Sequence, residues 1–487
     1  MKKIFIAIFL AFIITSCQSP KNILNIKVPV NQIIDFKEVS NIRFNGENKI
    51  VIMFITSQKE ADLVNNFISG NSKKAVDEFE KLKNDFDINT LFNLAGAYYI
   101  DKELDKALAL YKKILAQKKD FAEVYNNIGV IYGDKRNFKE AIDNYNLALK
   151  YKNDLAIVHH NIGVENKVNN LYETAITSYS KSIELNPSDA NSYYNRANIY
   201  YLTGNFDNAI DDYSKAIKLD PENAKFFNNR AITEAEKTTI YESSIKDYTK
   251  AIELKPNYTE AYYNRGIAYS NLTLFDKAIE DFNNAIALEP DFAGAYYYRG
   301  NAFFNNQKYE AAIKDYNKLI QIKPDFYKAY LNRGSANSLM QNFDDAIDDY
   351  STALKISSND SDVYYYIGNA FFSTGRIEGF KLAVNDYTKV INLKPTAKVY
   401  HNRGSSYAQL KDYESAIKDF TKALELSDIE SETYYLRGFS YESIDQKEKS
   451  VADYEKACKL NYTTACNALK GIKPQDPKKD NVSIGIN

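Results

Sequence analysis

Eleven small residues recur along this chain at a nearly fixed interval: Ala107, Ala141, Ala175, Ala209, Ser244, Ala278, Ala312, Ala346, Ala383, Ala416 and Ser450. The successive steps are 34, 34, 34, 35, 34, 34, 34, 37, 33 and 34 residues. Each opens a similar run, such as Ala209-Ile210-Asp211-Asp212-Tyr213, Ala346-Ile347-Asp348-Asp349-Tyr350 and Ala416-Ile417-Lys418-Asp419-Phe420. A second run precedes it: Tyr193-Tyr194-Asn195-Arg196-Ala197, Tyr262-Tyr263-Asn264-Arg265-Gly266, Tyr296-Tyr297-Tyr298-Arg299-Gly300. A period of this length marks an array of small supersecondary units. One unit cannot cover its own apolar face, so each must bury it against its neighbours, and the core runs along the array. The 487 residues therefore do not mean three ordinary domains, as length alone would suggest.

We count positions within a unit from 1 to 34, with the recurring small residue at 20. Position 8 is then Gly or Ala (Gly129, Gly163, Gly266, Gly300, Gly334, Gly368, Gly404, Gly438), position 24 is Tyr or Phe, and position 32 is often Pro (Pro187, Pro221, Pro256, Pro290, Pro324, Pro395). This pattern resembles the tetratricopeptide repeat (TPR). The resemblance implies an all-α fold, a right-handed superhelical solenoid of about 12 helix-turn-helix repeats closed by a C-terminal capping helix. Each spacing has a reason. Two helices that touch need almost no side chain at 8 and 20, the ring at 24 fills the space beside them, and Pro at 32 ends the second helix. Eleven units span 89–462. Ala75 and Phe79 suggest a degenerate earlier repeat over 57–88, 463–472 reads as the capping helix, and 473–487 reads as a disordered tail rich in Lys, Asp and Pro. The stretch Lys49-Ile50-Val51-Ile52-Met53-Phe54-Ile55 reads equally as a short strand or a buried apolar run. Two units are irregular: the one around Thr238 is a residue longer, and the one around Gly375 to Gly379 carries three extra residues, read as a loop insertion between its helices.

The chain opens with Lys2 and Lys3 and an apolar run from Ile4 to Ile14. That run is shorter than the ~20 residues a membrane-spanning helix needs, and suits a signal sequence over 1–16. It ends in Ile14-Thr15-Ser16-Cys17, which resembles the lipobox of bacterial lipoproteins. The resemblance implies acylation at Cys17, a lipid-anchored linker over 17–56, and attachment to the membrane by lipid alone. Gln18 rather than Asp follows the Cys, which by the same resemblance favours the outer membrane, facing the periplasm or the cell surface.

Position 7 is Leu in most TPR units but Arg in seven of these: Arg196, Arg230, Arg265, Arg299, Arg333, Arg403 and Arg437. Each shares its unit with an Asp at 23: Asp212, Asp247, Asp281, Asp315, Asp349, Asp419 and Asp453. An Arg–Asp pair between first and second helices, within or between units, accounts for this. In TPR superhelices, positions 2, 5, 6, 9 and 12 of the first helix face a concave groove. Here that row carries Tyr194, Asn195, Asn198, Tyr201, Asn229, Tyr263, Asn264, Tyr297, Asn301, Phe304, Asn332, Tyr365, Asn369, Phe372 and Asn402. Asn offers a donor and an acceptor to an extended backbone, and rings offer rigid contact area, so an accessible peptide-binding groove is expected. The row is similar to the asparagine ladder in the groove of the O-GlcNAc transferase TPR superhelix. The Lys-Asn, Asn, Lys-Arg clamp that some TPR domains place on a terminal carboxylate is incomplete: Lys225, Asn229 and Asn264 match, but Gly294 and Tyr298 do not.

Cys458 and Cys466 lie in a run resembling the bridged helix pairs of Sel1-like repeats, which implies a disulfide; two free buried thiols are the other reading. Three His and three Cys leave few ligands for a metal, and no nucleotide-binding or hydrolase motif occurs, so neither catalysis nor a cofactor is expected. His159, His160 and His401 read as packed or rim residues. Lys+Arg of 62 against Asp+Glu of 64 leaves no basic excess for nucleic acid. The reading is a non-catalytic protein- or peptide-binding scaffold of the bacterial envelope. The alternatives are an envelope lipoprotein that binds carbohydrate, or an accessory factor of outer-membrane assembly or secretion.

Overall fold

The computed structural model describes residues 88–238, 241–358, 360–427 and 431–472. Cys17, the linker, the apolar run at 49–55, the degenerate repeat and the tail lie outside the described residues. Among those described there are 23 helices and no strand, in eleven tandem helix pairs followed by a short helix, Thr463–Ile472. They form two compact parts, one ending at Ala268 and the other beginning at Tyr269.

The pair Ala190–Leu202 and Phe206–Leu219 shows how a unit is built. Its second helix turns Ala209, Tyr213 and Ala216 inward, against Tyr194, Ala197 and Tyr201 of the first helix and Phe226 of the following unit. Burying one such ring contributes about 3 kcal/mol. The close approach at position 8 is real: a Cβ on Gly300 would lie 2.7 Å from the Tyr316 ring.

The turn between the helices repeats as well. Among the described residues the turn position, 15 in the regular units, is left-handed, as at Lys102 (φ 67°), Arg136 (62°), Thr273 (61°), Gln307 (59°) and Lys411 (60°), and the glycines that take this conformation there are Gly204 and Gly375. The Gln307 N–H donates to the Phe304 carbonyl and the Lys308 N–H to the Phe303 carbonyl, a Schellman closure of the first helix. A β-branched residue is especially strained there. Thr273→Gly is therefore expected to stabilise the protein by about 1 kcal/mol, read as a higher urea midpoint with unchanged slope.

Six of the Arg–Asp pairs, those of Arg196, Arg230, Arg299, Arg333, Arg403 and Arg437, lie within units, and each of these guanidinium groups also reaches the unit before. Arg196 donates through Nε and Nη2 to Asp212 (2.7 and 2.9 Å) and through Nη1 to Ser180 of the preceding second helix (2.8 Å). Arg230 does the same with Asp247 and Ser214, Arg403 with Asp419 and Thr388, Arg437 with Asp453 and Thr421. The planar fork is what lets one side chain join three helices.

The three extra residues near Gly375 are no loop. They lengthen the second helix to Ile377–Leu393, 17 residues where its neighbours have 14. At the far end, Cys458 and Cys466 are joined, tying the last second helix to the capping helix.

Candidate functional site

The row expected to line an open groove is largely closed. Tyr194, Asn195, Asn198, Tyr201, Asn229, Tyr263, Asn264, Tyr297, Asn301, Phe304, Asn332 and Asn369 are all buried. Only Tyr365, Phe372 and Asn402 remain partly exposed. The reason lies between units: the amide at position 6 turns its N–H donors toward the preceding first helix.

In the N-terminal part, Asn161 donates to Asn126 (2.9 Å), and Asn229 donates to the Tyr194 hydroxyl (2.9 Å) and to Asn198 (3.1 Å). Asn264 reaches Asn228 at 3.4 Å. In the C-terminal part, Asn332 donates to Asn301 (2.9 Å), and Asn402 donates to Tyr365 and Asn369 (3.0 Å each). The position-24 ring joins from behind: Tyr213 donates to Asn198, Tyr316 to Asn301 and Tyr387 to Asn369. At Asn198, Asn301 and Asn369 a buried amide is thus shared by three helices, and its first role is to hold consecutive units together.

Two histidines at position 5 repeat one device. His160 Nδ1 lies 2.8 Å from the Ser192 hydroxyl and His401 Nδ1 lies 2.8 Å from the Thr433 hydroxyl, each on the next first helix. Ser192 in turn donates to Asp189, and the other nitrogen of His160 faces the Asn195 amide. Ser, His and Asp thus meet, but hydroxyl and carboxylate both lie at Nδ1 of the ring. A nucleophilic relay needs them on opposite nitrogens. His160 is only 1% exposed, so the cluster is a packed polar contact. Burial, with Lys398 nearby, lowers the His401 pKa to about 4, so its ring stays neutral at physiological pH.

Where the row stays open, it forms a recess of about 420 Å³ between the first helices Ser361–Ser373, Ala397–Gln409 and Ser431–Ser443. Three local departures from the repeat create it. Positions 9 and 12 of the middle unit are Ser405 and Ala408, where the unit before has Asn369 and Phe372, so the floor is low. Position 6 of the last unit is Leu436 instead of Asn, and position 9 is Phe439, 42% exposed. Behind the opposite wall, Phe380 from the lengthened helix packs on Phe372 with ring centroids 5.3 Å apart. Comparing the units position by position would have found these substitutions in the sequence.

Models described as tetratricopeptide repeat match residues 122–155, 190–223, 263–325, 397–428 and 431–464, and one described as TPR repeat matches 169–204, 241–272 and 339–375. Together these segments cover more than half of the chain. Tetratricopeptide repeat protein 13 of Homo sapiens is 49% identical over 45 residues, 9% of this chain and 5% of that protein. Hsp70-Hsp90 organizing protein 2 of Arabidopsis thaliana is 45% identical over 60 residues, 12% of this chain and 10% of that protein. The chain thus spans a tenth or less of the curated relatives it matches. Among solved structures, the APC/C hetero-tetramer Cut9-Hcn1 aligns at 14% identity over 86% of this chain and 97% of that one, with a TM-score of 0.40.

Proposed function

We propose, from the premise that the chain belongs to the tetratricopeptide repeat family, that it is a non-catalytic scaffold binding a protein or peptide of the bacterial envelope, held at the membrane by lipid on Cys17. The observation that carries the binding half is the recess: the first-helix row is buried almost everywhere, then opens where Phe372 and Asn402 reach solvent beside the exposed Phe439. Exposed aromatic area beside polar groups, on rigid helices, is what a binding hot spot needs. The Arabidopsis relative is named for organizing Hsp70 and Hsp90, which supports a protein partner in kind. The tether rests on the lipobox resemblance alone.

A photo-crosslinking residue placed at Phe439 is expected to trap a discrete envelope protein in producing cells, and one at Lys314, on an exposed second-helix face, is not. Cys17→Ala is expected to release the chain from the membrane fraction. Equal trapping from both positions would sink the binding reading, and unchanged membrane retention in high salt would sink the tether.

A further inference from the structure

The recess has a chemistry of its own, and the inference drawn from it rests on the scaffold reading above. We propose that it is the anchor site for an uncharged stretch of extended peptide carrying one bulky apolar side chain, which seats over Ala408 between Phe372, Leu436 and Phe439.

A repeat array is informative where it stops repeating. The shallow positions at Ser405 and Ala408, the loss of the position-6 amide at Leu436, and the lengthened helix that sets Phe380 behind Phe372 are separate changes in three consecutive units. All three shape one space. Drift in a stacking array would scatter such changes. The volume, about 420 Å³, falls in the range of pockets that enclose a small ligand or a side chain with its flanking peptide groups.

The polar groups left over match an amide. Asn369 Oδ1 is taken by Tyr387 and Asn402, and among the described residues its Nδ2 has no partner. Asn402 gives its Nδ2 to Tyr365 and Asn369, and among the described residues its Oδ1 accepts nothing. A donor and an acceptor therefore remain on neighbouring first helices, the complement of one peptide group's carbonyl and N–H. In the N-terminal part the corresponding Asn195 Oδ1 and Asn198 Nδ2 are sealed under protein; here they are reachable.

The charges argue for a neutral guest. Lys411 and Glu432 line the recess with opposite signs, and His401 is uncharged. No net charge is left to pair with an ion, and burying one without a counter-ion costs several kcal/mol. The site thus selects against Lys, Arg, Asp and Glu at the anchor position, and for Phe, Leu or Met.

The test uses the full chain in detergent with N-acetyl-phenylalanine N-methylamide as the probe, and with the Ala, Lys and Asp analogues and cellobiose beside it. The readouts are the methyl resonances of Leu436 and the side-chain amides of Asn369 and Asn402. Saturable shifts with the Phe compound are expected, with about tenfold weaker binding of the others. Ala408→Phe fills the floor and should abolish the shifts while circular dichroism stays unchanged; Ser405→Leu serves if that variant misfolds. Absent shifts, or shifts that survive in a folded filled variant, overturn the proposal. So does preferential binding of cellobiose, which would make the guest a sugar, or of the Lys or Asp compound, which would make it charged. If the Phe439 crosslink still traps a protein while the amide probes fail, the scaffold stands and only the anchor falls.

Discussion

Raising the pH from about 10 to about 11 is expected to unfold the helices, and the tyrosines are the cause. Tyr111, Tyr145, Tyr213, Tyr248, Tyr316, Tyr350 and Tyr387 are each at most 1% exposed, and burial pushes each hydroxyl above its ordinary range. The folded state therefore holds these protons more tightly than the unfolded chain. That contribution to stability is complete below the unfolded pKa of about 10 and is lost as the pH climbs toward the folded value. Each ring removes about 1.4 kcal/mol per pH unit. Seven together remove on the order of 10 kcal/mol by pH 11, comparable to the whole stability of a domain. The chain has 40 Tyr and no Trp, so tyrosinate absorbance reports the event directly. Exposed rings should titrate first with helicity intact, and the buried ones only together with loss of the helical dichroism. Complete ionisation at constant helicity would contradict the packing described here.

The second large effect is expected at an Arg–Asp pair. Asp212→Ala should cost about 3 kcal/mol, because Arg196 keeps its Ser180 contact but loses both carboxylate bonds while only 15% exposed. The ring faces of Tyr193 and Tyr200 flank the guanidinium, so it has little room to swing into water. Replacing both partners, Arg196→Leu with Asp212→Leu, should recover most of the loss, since Leu is the usual TPR residue at position 7 and no charge is then stranded. Urea unfolding of the wild type, both single variants and the double variant gives the coupling directly. A double variant no better than Asp212→Ala would mean that the aspartate matters for another reason.

Much of this was legible in the sequence. The period gave the helix pairs, the small residues at 8 and 20 gave the contact between them, and the Asp at 23 in every unit with Arg at 7 gave the Arg–Asp pair. The burial of the asparagine row was not. A position number states which way a side chain leaves its helix, but not how closely the next first helix approaches, and that distance decides whether Asn229 meets a ligand or Tyr194 and Asn198. The left-handed turn was hidden because Lys102, Thr273 and Gln307 carry no glycine signal. The extra residues near Gly375 read as a loop because two glycines bracket them. A Cβ on Gly379 would lie 2.5 Å from the Phe371 carbonyl oxygen, so that glycine serves a tight helix start.

The amide nodes also bear on a hazard peculiar to repetitive chains. Units this alike could stack out of order, with one unit docking on the wrong predecessor while apolar contacts stay nearly the same. The nodes make such slippage costly, because their composition differs from one junction to the next. Asn229 in its proper place meets the Tyr194 hydroxyl and the Asn198 carbonyl; docked one unit earlier it would face His160 and the aliphatic Val164. A stranded buried amide costs about 1–3 kcal/mol. The polar row thus works as an address written along the array, by which each helix pair recognises its own neighbour during folding.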